Sequence, residues 1–134
     1  MQKLLTGAAY HGNRMLHHAQ ADLRDMADNH MNLVVHMFSH TDWDRHCRVM
    51  KDMVEISKEA GLEVWVDTSS AFFELDAEEA KKLIGFFGED HVLFGSDYPM
   101  WNAADEIRNI KNLGLSSATE EKIFSGNLLK LLNL

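Results

Sequence analysis

His11, His36, Asp67 and Asp97 each stand at or just past the end of a short apolar run, with His40 four residues behind His36. Imidazoles and carboxylates are the side chains that bind divalent cations and carry protons near neutral pH. A carboxylate such as Asp97 can take a proton from water, most readily from water whose acidity a cation has raised. Each residue also has an ordinary reading. Asp is a turn former, so Asp97 can simply open a loop into the next helix. Eight histidines at irregular spacing form no ligand motif, so each is most simply a hydrogen-bonded or partly exposed imidazole. His17, His18 and His46 fall on helical patterns and belong on the surface. Asp42 and Asp44, beside His40 and His46, make a loose nitrogen and oxygen cluster that a helix N-terminus welcoming acids explains better.

The elements that must position these groups are legible in the spacing. Strand-like runs occupy residues 3–9, 32–39, 63–68 and 91–96, short and nearly continuous in apolar residues, as suits parallel strands covered on both faces. Helical patterns separate them. The first, over 14–30, places Leu16, Ala19, Leu23, Met26 and Ala27 on one stripe behind Asn13 as N-cap. The second, over 44–60, carries Cys47, Met50 and Val54 and stops at Gly61. A third starts behind Asp76 with Glu79 as its N3 acid. A fourth runs over 103–113 between Asn102 and Gly114, and a last one over 119–132 behind Ser116 and Ser117. Strand and helix alternate four times, which means parallel strands joined by right-handed crossovers. Two architectures fit. A doubly wound sheet has helices on both faces, whereas half of a (βα)8 barrel has them all on one.

Composition narrows the partners. The 134 residues carry 13 Lys and Arg against 21 Asp and Glu, a formal charge of -8, which gives nucleic acid and anionic membranes no electrostatic footprint. One cysteine, Cys47, cannot form an internal disulfide, and no apolar run approaches the ~20 residues of a membrane span. A soluble protein of the reducing cytoplasm is expected. Neither G-x-G-x-x-G nor G-x-x-x-x-G-K-[ST] occurs, so nucleotide binding has no fingerprint. Asp67 lacks the acidic pair of a receiver domain, because Ala8, Ala9 and Tyr10 end the first run. Asp67 and Asp97 would be a generic carboxylate pair for glycoside cleavage only on adjacent strands.

Four stretches resemble the C-terminal end of the amidohydrolase-related metal-dependent hydrolases: Val66-Asp67-Thr68-Ser69-Ser70, then His91-Val92-Leu93-Phe94-Gly95-Ser96-Asp97-Tyr98-Pro99, then Gly114-Leu115-Ser116, then Gly126-Asn127-Leu128-Leu129-Lys130-Leu131-Leu132. The resemblance implies a TIM barrel with Asp97 as a general base beside a metal on the last strand. The first half, with His11-Gly12-Asn13-Arg14, Val34-Val35-His36 and Ala60-Gly61-Leu62-Glu63-Val64-Trp65-Val66-Asp67, resembles the opening strands of a glycosidase-like TIM-barrel family. The amidohydrolase pattern also opens with His-x-His on its first strand, where this chain has Tyr10-His11.

The expectations are therefore these. The chain is α/β, a single (βα)4 half of a TIM barrel over 1–134, with a glycosidase-like segment over 1–67 and an amidohydrolase-like one over 68–134. Its exposed sheet edges and open face imply a homodimer that closes an eight-stranded barrel. It acts as a self-associating scaffold, engineered or recombined from barrel enzymes, without a complete site and without a cofactor. The alternative is a metal-dependent hydrolase, for example with zinc, completed across subunits. Asp97 is the candidate base, and His11, His36 and Asp97 are weak candidate metal ligands.

Overall fold

A computed structural model describes residues 4–12, 14–69 and 75–134. Four parallel strands, β1 (Gly7–Tyr10), β2 (Leu33–His36), β3 (Glu63–Asp67) and β4 (Val92–Leu93), form one sheet in the order β1-β2-β3-β4. That order decides between the two architectures. When each strand is laid beside its predecessor through a right-handed crossover, every connecting helix falls on the same face, so the sheet is half a barrel. A doubly wound sheet would reverse direction at a switch point, and none exists here.

The helix-bearing face takes alternate residues of each strand. Val34, Val64, Val66 and Val92 are buried in one core with Leu23 of α1 (Leu16–Asp28), Met50, Met53 and Val54 of α2 (His40–Glu59), Leu83 and Ile84 of α3 (Ala77–Phe87), and Ile110 of α4 (Ala103–Asn112). On the opposite face stand Gly7, Ala9, Leu33, Val35, Glu63, Trp65, Asp67 and Leu93, with Gly7 and Ala9 exposed. Trp65 is covered there by its own contacts: its indole N–H donates to Glu63 at 3.0 Å and its ring lies 5.1 Å from that of His91.

Helix ends mostly follow the local chemistry. Asp76 caps α3 by accepting from the Glu79 N–H, Asn102 caps α4, and Ser116 caps α5 (Ser117–Glu121). Gly61 and Gly114 adopt positive φ just past helix ends. Two boundaries differ from the sequence expectation. Helix α1 begins at Leu16 behind Met15, and the expected cap Asn13 lies outside the described residues. Helix α2 starts at His40 rather than at residue 44, because Ser39 and Asp42 form a capping box, and the helix kinks at His46. The last helical stretch is not continuous either: α5 passes through a π turn (Lys122–Gly126) into α6 (Asn127–Leu132).

His36, expected among the strand-end ligands, points the other way. It is completely buried on the helix-bearing face, with Nε2 2.8 Å from the Ser57 hydroxyl of α2 and its ring stacked on Phe38. The alternation of β2 decides this, since the buried Val34 and His36 share one face. Burial and the nearby Arg14 charge lower its pKa from 6.5 to about 4. The unfolded chain therefore binds this proton more tightly, and stability falls as pH drops from 6.5 towards 4, by about 3 kcal/mol in full. The stability difference between the native protein and His36→Asn, read from denaturant unfolding, should therefore shift against the native protein as pH falls across that interval, whatever the variant's stability at pH 7.

Candidate functional site

At the C-terminal ends of the strands, loops after β1, β2, β3 and β4 surround an open cavity of about 260 Å³ lined by His11, Arg14, Phe38, Ser39, Ser69 and Asp97, among others. Its frame is an ion pair. Arg14 donates through Nε to Asp42 Oδ1 at 2.5 Å and through Nη2 to Oδ2 at 2.8 Å, while Nη1 reaches the Gly12 carbonyl at 2.7 Å and Nη2 the Met37 carbonyl at 3.1 Å. Asp42 also accepts from the Ser39 N–H at 2.8 Å and from the Ser39 hydroxyl at 3.1 Å. Burial pushes the Asp42 carboxyl up, but the Arg14 and Ser39 hydrogen bonds outweigh it and leave the pKa lowered. One guanidinium thus ties the β1–α1 loop to the start of α2, with most of its N–H groups already committed. Arg14 acts here as a tie between loops.

The β3–β4 side is held differently. Thr68, just past β3, is 1% exposed, and its hydroxyl donates to the Gly95 carbonyl at 3.1 Å while accepting from the Gly95 N–H at 3.0 Å. A side chain thereby continues the ladder past the last backbone pair and fixes the turn that delivers Asp97. A Cβ at Gly95 would sit 2.2 Å from the Ser69 hydroxyl, which would have to turn aside to admit a side chain there. Asp97 itself has φ 52, in the left-handed region that Asp tolerates better than most residues.

Asp67, at the end of β3 on the open face, is the most perturbed acid of the site. Burial raises its pKa from 3.8 to about 6; the Ser69 hydrogen bonds oppose the rise, the Asp97 charge adds to it, and His11 lowers it. Asp97 and His11 thus lie within electrostatic reach of Asp67. His40 is near by in sequence but sits in the first turn of α2 beside Thr41, and His17, His18 and His46 are exposed on helices. The sequence did not single out Arg14, Phe38 or Ser69 as site residues. Asp42 belongs to a buried pair as well as to a helix start.

His11 and Asp97 share the cavity, yet among the described residues no group of three His, Cys, Asp or Glu side chains stands close enough to hold a metal ion. The described residues therefore do not fit a complete cation site. Outside the Arg14–Asp42 pair, the cavity lining offers His11 and Asp97 as side chains of ligating type.

Two outcomes follow from this geometry. Arg14→Met leaves Asp42 buried without its counter-charge and should cost roughly 2–4 kcal/mol in denaturant unfolding, allowing for Arg14's partial exposure; adding Asp42→Asn should recover part of that loss. Asp97→Asn removes the like charge beside Asp67, so carbon-detected NMR titration should find the Asp67 pKa below its native value of about 6.

Comparison with known proteins supplies the context. The family model of the amidohydrolases matches residues 2–134. It crosses Val66-Asp67 without a break, so it covers the segment for which a glycosidase-like origin was expected, and no finding supports that origin. Among solved structures, the chain is similar to a dihydroxybenzoic acid decarboxylase from Polaromonas sp. JS666 with bound manganese and the inhibitor 2-nitroresorcinol. The two share 19% identity with a TM-score of 0.60, over 89% of this chain and 40% of that one. It is also similar to a 2,6-dihydroxybenzoate decarboxylase complexed with 2,6-dihydroxybenzoate, at 18% identity and TM-score 0.59, over 90% of this chain and 41% of that one. This chain thus spans about two-fifths of the length of either structure. No curated protein matches it. Among the described residues, no helix is long and apolar enough to cross a membrane.

Proposed function

We propose, for a chain that belongs to the amidohydrolase family and forms half a barrel, that it carries one wall of a metal-dependent active site for small carboxylated substrates, completed when a second half barrel covers its open face. The observation that carries this reading is that His11 and Asp97 line one cavity at the strand C-terminal ends, where barrel enzymes do their chemistry, with Asp67 within electrostatic reach of both. The manganese of one solved neighbour, and the dihydroxybenzoates named for both, set the first substrates to try.

Each side chain has a task that its surroundings support. Asp67, with its pKa near 6, is the group of this wall that holds or releases a proton close to neutral pH. Asp97 is exposed and lines the cavity, which places a carboxylate where a substrate would enter. His11 lines the same cavity and brings an imidazole to it. Arg14 and Thr68 hold the loops that carry them. No step through a cation is assigned, because the described residues supply only part of a shell.

The incompleteness of that shell favours a second reading, a self-associating scaffold without catalysis, recombined or engineered from barrel enzymes. One experiment separates the two. The protein, at concentrations where it self-associates, is incubated with manganese or zinc and 2,6-dihydroxybenzoate, and carbon dioxide release is followed beside ester and lactone hydrolysis. The catalytic reading expects turnover that depends on added metal and falls at least ~100-fold in Asp97→Asn, the scale of a lost proton-transfer group. Absence of turnover with every substrate would leave the scaffold.

A further inference from the structure

Gly126-Asn127 ahead of Leu131 lies outside the cavity lining, yet it is built into the strand that leads to Asp97. Strand β4 is two residues long, so the chain reaches Asp97 with little ladder to guide it. In a strand the amide and carbonyl of one residue face one side, and those of the next residue face the other. On the side of β3, the Thr68 N–H donates to the Leu93 carbonyl at 2.9 Å, and the Thr68 hydroxyl serves both polar groups of Gly95. Val92 and Phe94 turn theirs to the outer side, where the sheet has no further strand among the described residues. There the Val92 carbonyl accepts from Asn127 Nδ2 at 2.8 Å, and the Phe94 N–H donates to the Ile123 carbonyl at 3.0 Å. Residues 92–95 are thereby gripped alternately from both sides.

The C-terminal segment is shaped for this task. The Asn127 N–H bonds to the Lys122 carbonyl, five residues back, so the π turn takes it away from the Ile123 carbonyl four residues back. That released carbonyl is the one that meets Phe94. A carboxamide nitrogen carries two N–H groups, and Asn127 spends one on Val92 and the other on the Glu89 carbonyl at 2.7 Å. Neither Asp nor Leu offers those donors, and Gln would carry its amide one methylene too far. Asn127 is 2% exposed and shares the buried face of α6 with Leu131, which keeps the amide turned inward. The Glu89 carboxylate accepts from the Thr119 hydroxyl at 2.6 Å and from Lys122 Nζ at 2.5 Å, which fixes the π turn against the residues just ahead of β4.

We propose that Asn127 is a positioning residue for Asp97: with Ile123 it stands in for a strand on the outer side of β4, and with Thr68 it sets where the Gly95–Asp97 turn leaves the sheet. It acts through the backbone of β4. Without the outer grip, Thr68 would hold the segment from one side only. The value of this placement to chemistry rests on the catalytic reading above; the placement itself does not.

Asn127→Leu, close in size but without the two donors, tests it without any activity. In native-state hydrogen exchange the Phe94 and Gly95 amides should exchange at least about tenfold faster in the variant, the scale of a lost hydrogen bond, while the β2 amides keep their native rates. Carbon-detected NMR should find the Asp97 carboxyl resonance displaced, with the Arg14 Nε–H resonance on the β1–β2 side of the cavity unmoved. Thr68→Val, which releases the same segment from the other side, should displace Asp97 as well. Unchanged Phe94 exchange overturns the proposal, as does an Asp97 resonance that stays in place, or equal shifts at Asp97 and Arg14 that mark a general loosening. If the variant does not fold, the native protein carries the test: in low denaturant the Phe94 and Gly95 amides should be released in the same opening as the Leu131 amide of α6, and their surviving that opening overturns the proposal. Displacement of Asp97 in a protein that turns over no substrate would leave the proposal standing and remove the catalytic reading alone.

Discussion

Sequential order in a parallel sheet, with every crossover right-handed, leaves the chain no choice about which face its helices cover. Everything else in the molecule answers to that asymmetry. The valines of β2, β3 and β4 make a dry core with α1 to α4 on one side, and the same strands turn Asp67, Leu93, Val35 and Ala9 to the other. Polar residues can stand on that second face because no helix lands on it. His36 illustrates the cost of the first: an imidazole in the helix layer needs Ser57 as partner and a lowered pKa to stay there.

The same asymmetry puts two titrating groups in opposition. His36 on the covered face binds its proton less well in the folded state, so its contribution to stability grows as pH rises from about 4 to 6.5. Asp67 on the open face binds its proton better when folded, so its contribution shrinks as pH rises from 3.8 to about 6. Their windows overlap almost entirely and their slopes have opposite signs. A nearly flat stability profile in mild acid would therefore mean cancellation between two faces of one sheet, and only the single variants would reveal the underlying slopes.

What the sequence made legible is what local chemistry decides. Short β-branched runs bounded by turn residues gave the four strands, and Asp76, Asn102, Ser116, Gly61 and Gly114 mark helix ends where their side chains or their absence act directly. That His11 and Asp97 line one cavity was readable because strand ends share one side of a parallel sheet. His36 was not, since the turn from strand to loop leaves the facing of a terminal residue to a register that one strand alone cannot fix. Nor was the Arg14–Asp42 pair, whose members are separated by 28 positions and meet only through the adjacency of β1 and β2. The early start of α2 was hidden for the same reason: Asp42 looked like a helix acid, and it is also half of a tertiary contact.

The division between covered and open face also sets which side chains four strands can bring to the cavity. Barrel catalytic groups come from the ends of many strands, each strand offering a loop and one or two inward side chains. Four strands therefore bring four loops, and here two of those loops are spent on holding the others in place, through Arg14 in one case and Thr68 in the other. The remaining side chains reach the cavity from one wall only. Adding ligands to that wall would crowd like charges around Asp67, whose proton affinity is already raised by burial and by Asp97. A further charged group would meet His11 and Asp97 at less electrostatic cost from across the cavity than from beside Asp67.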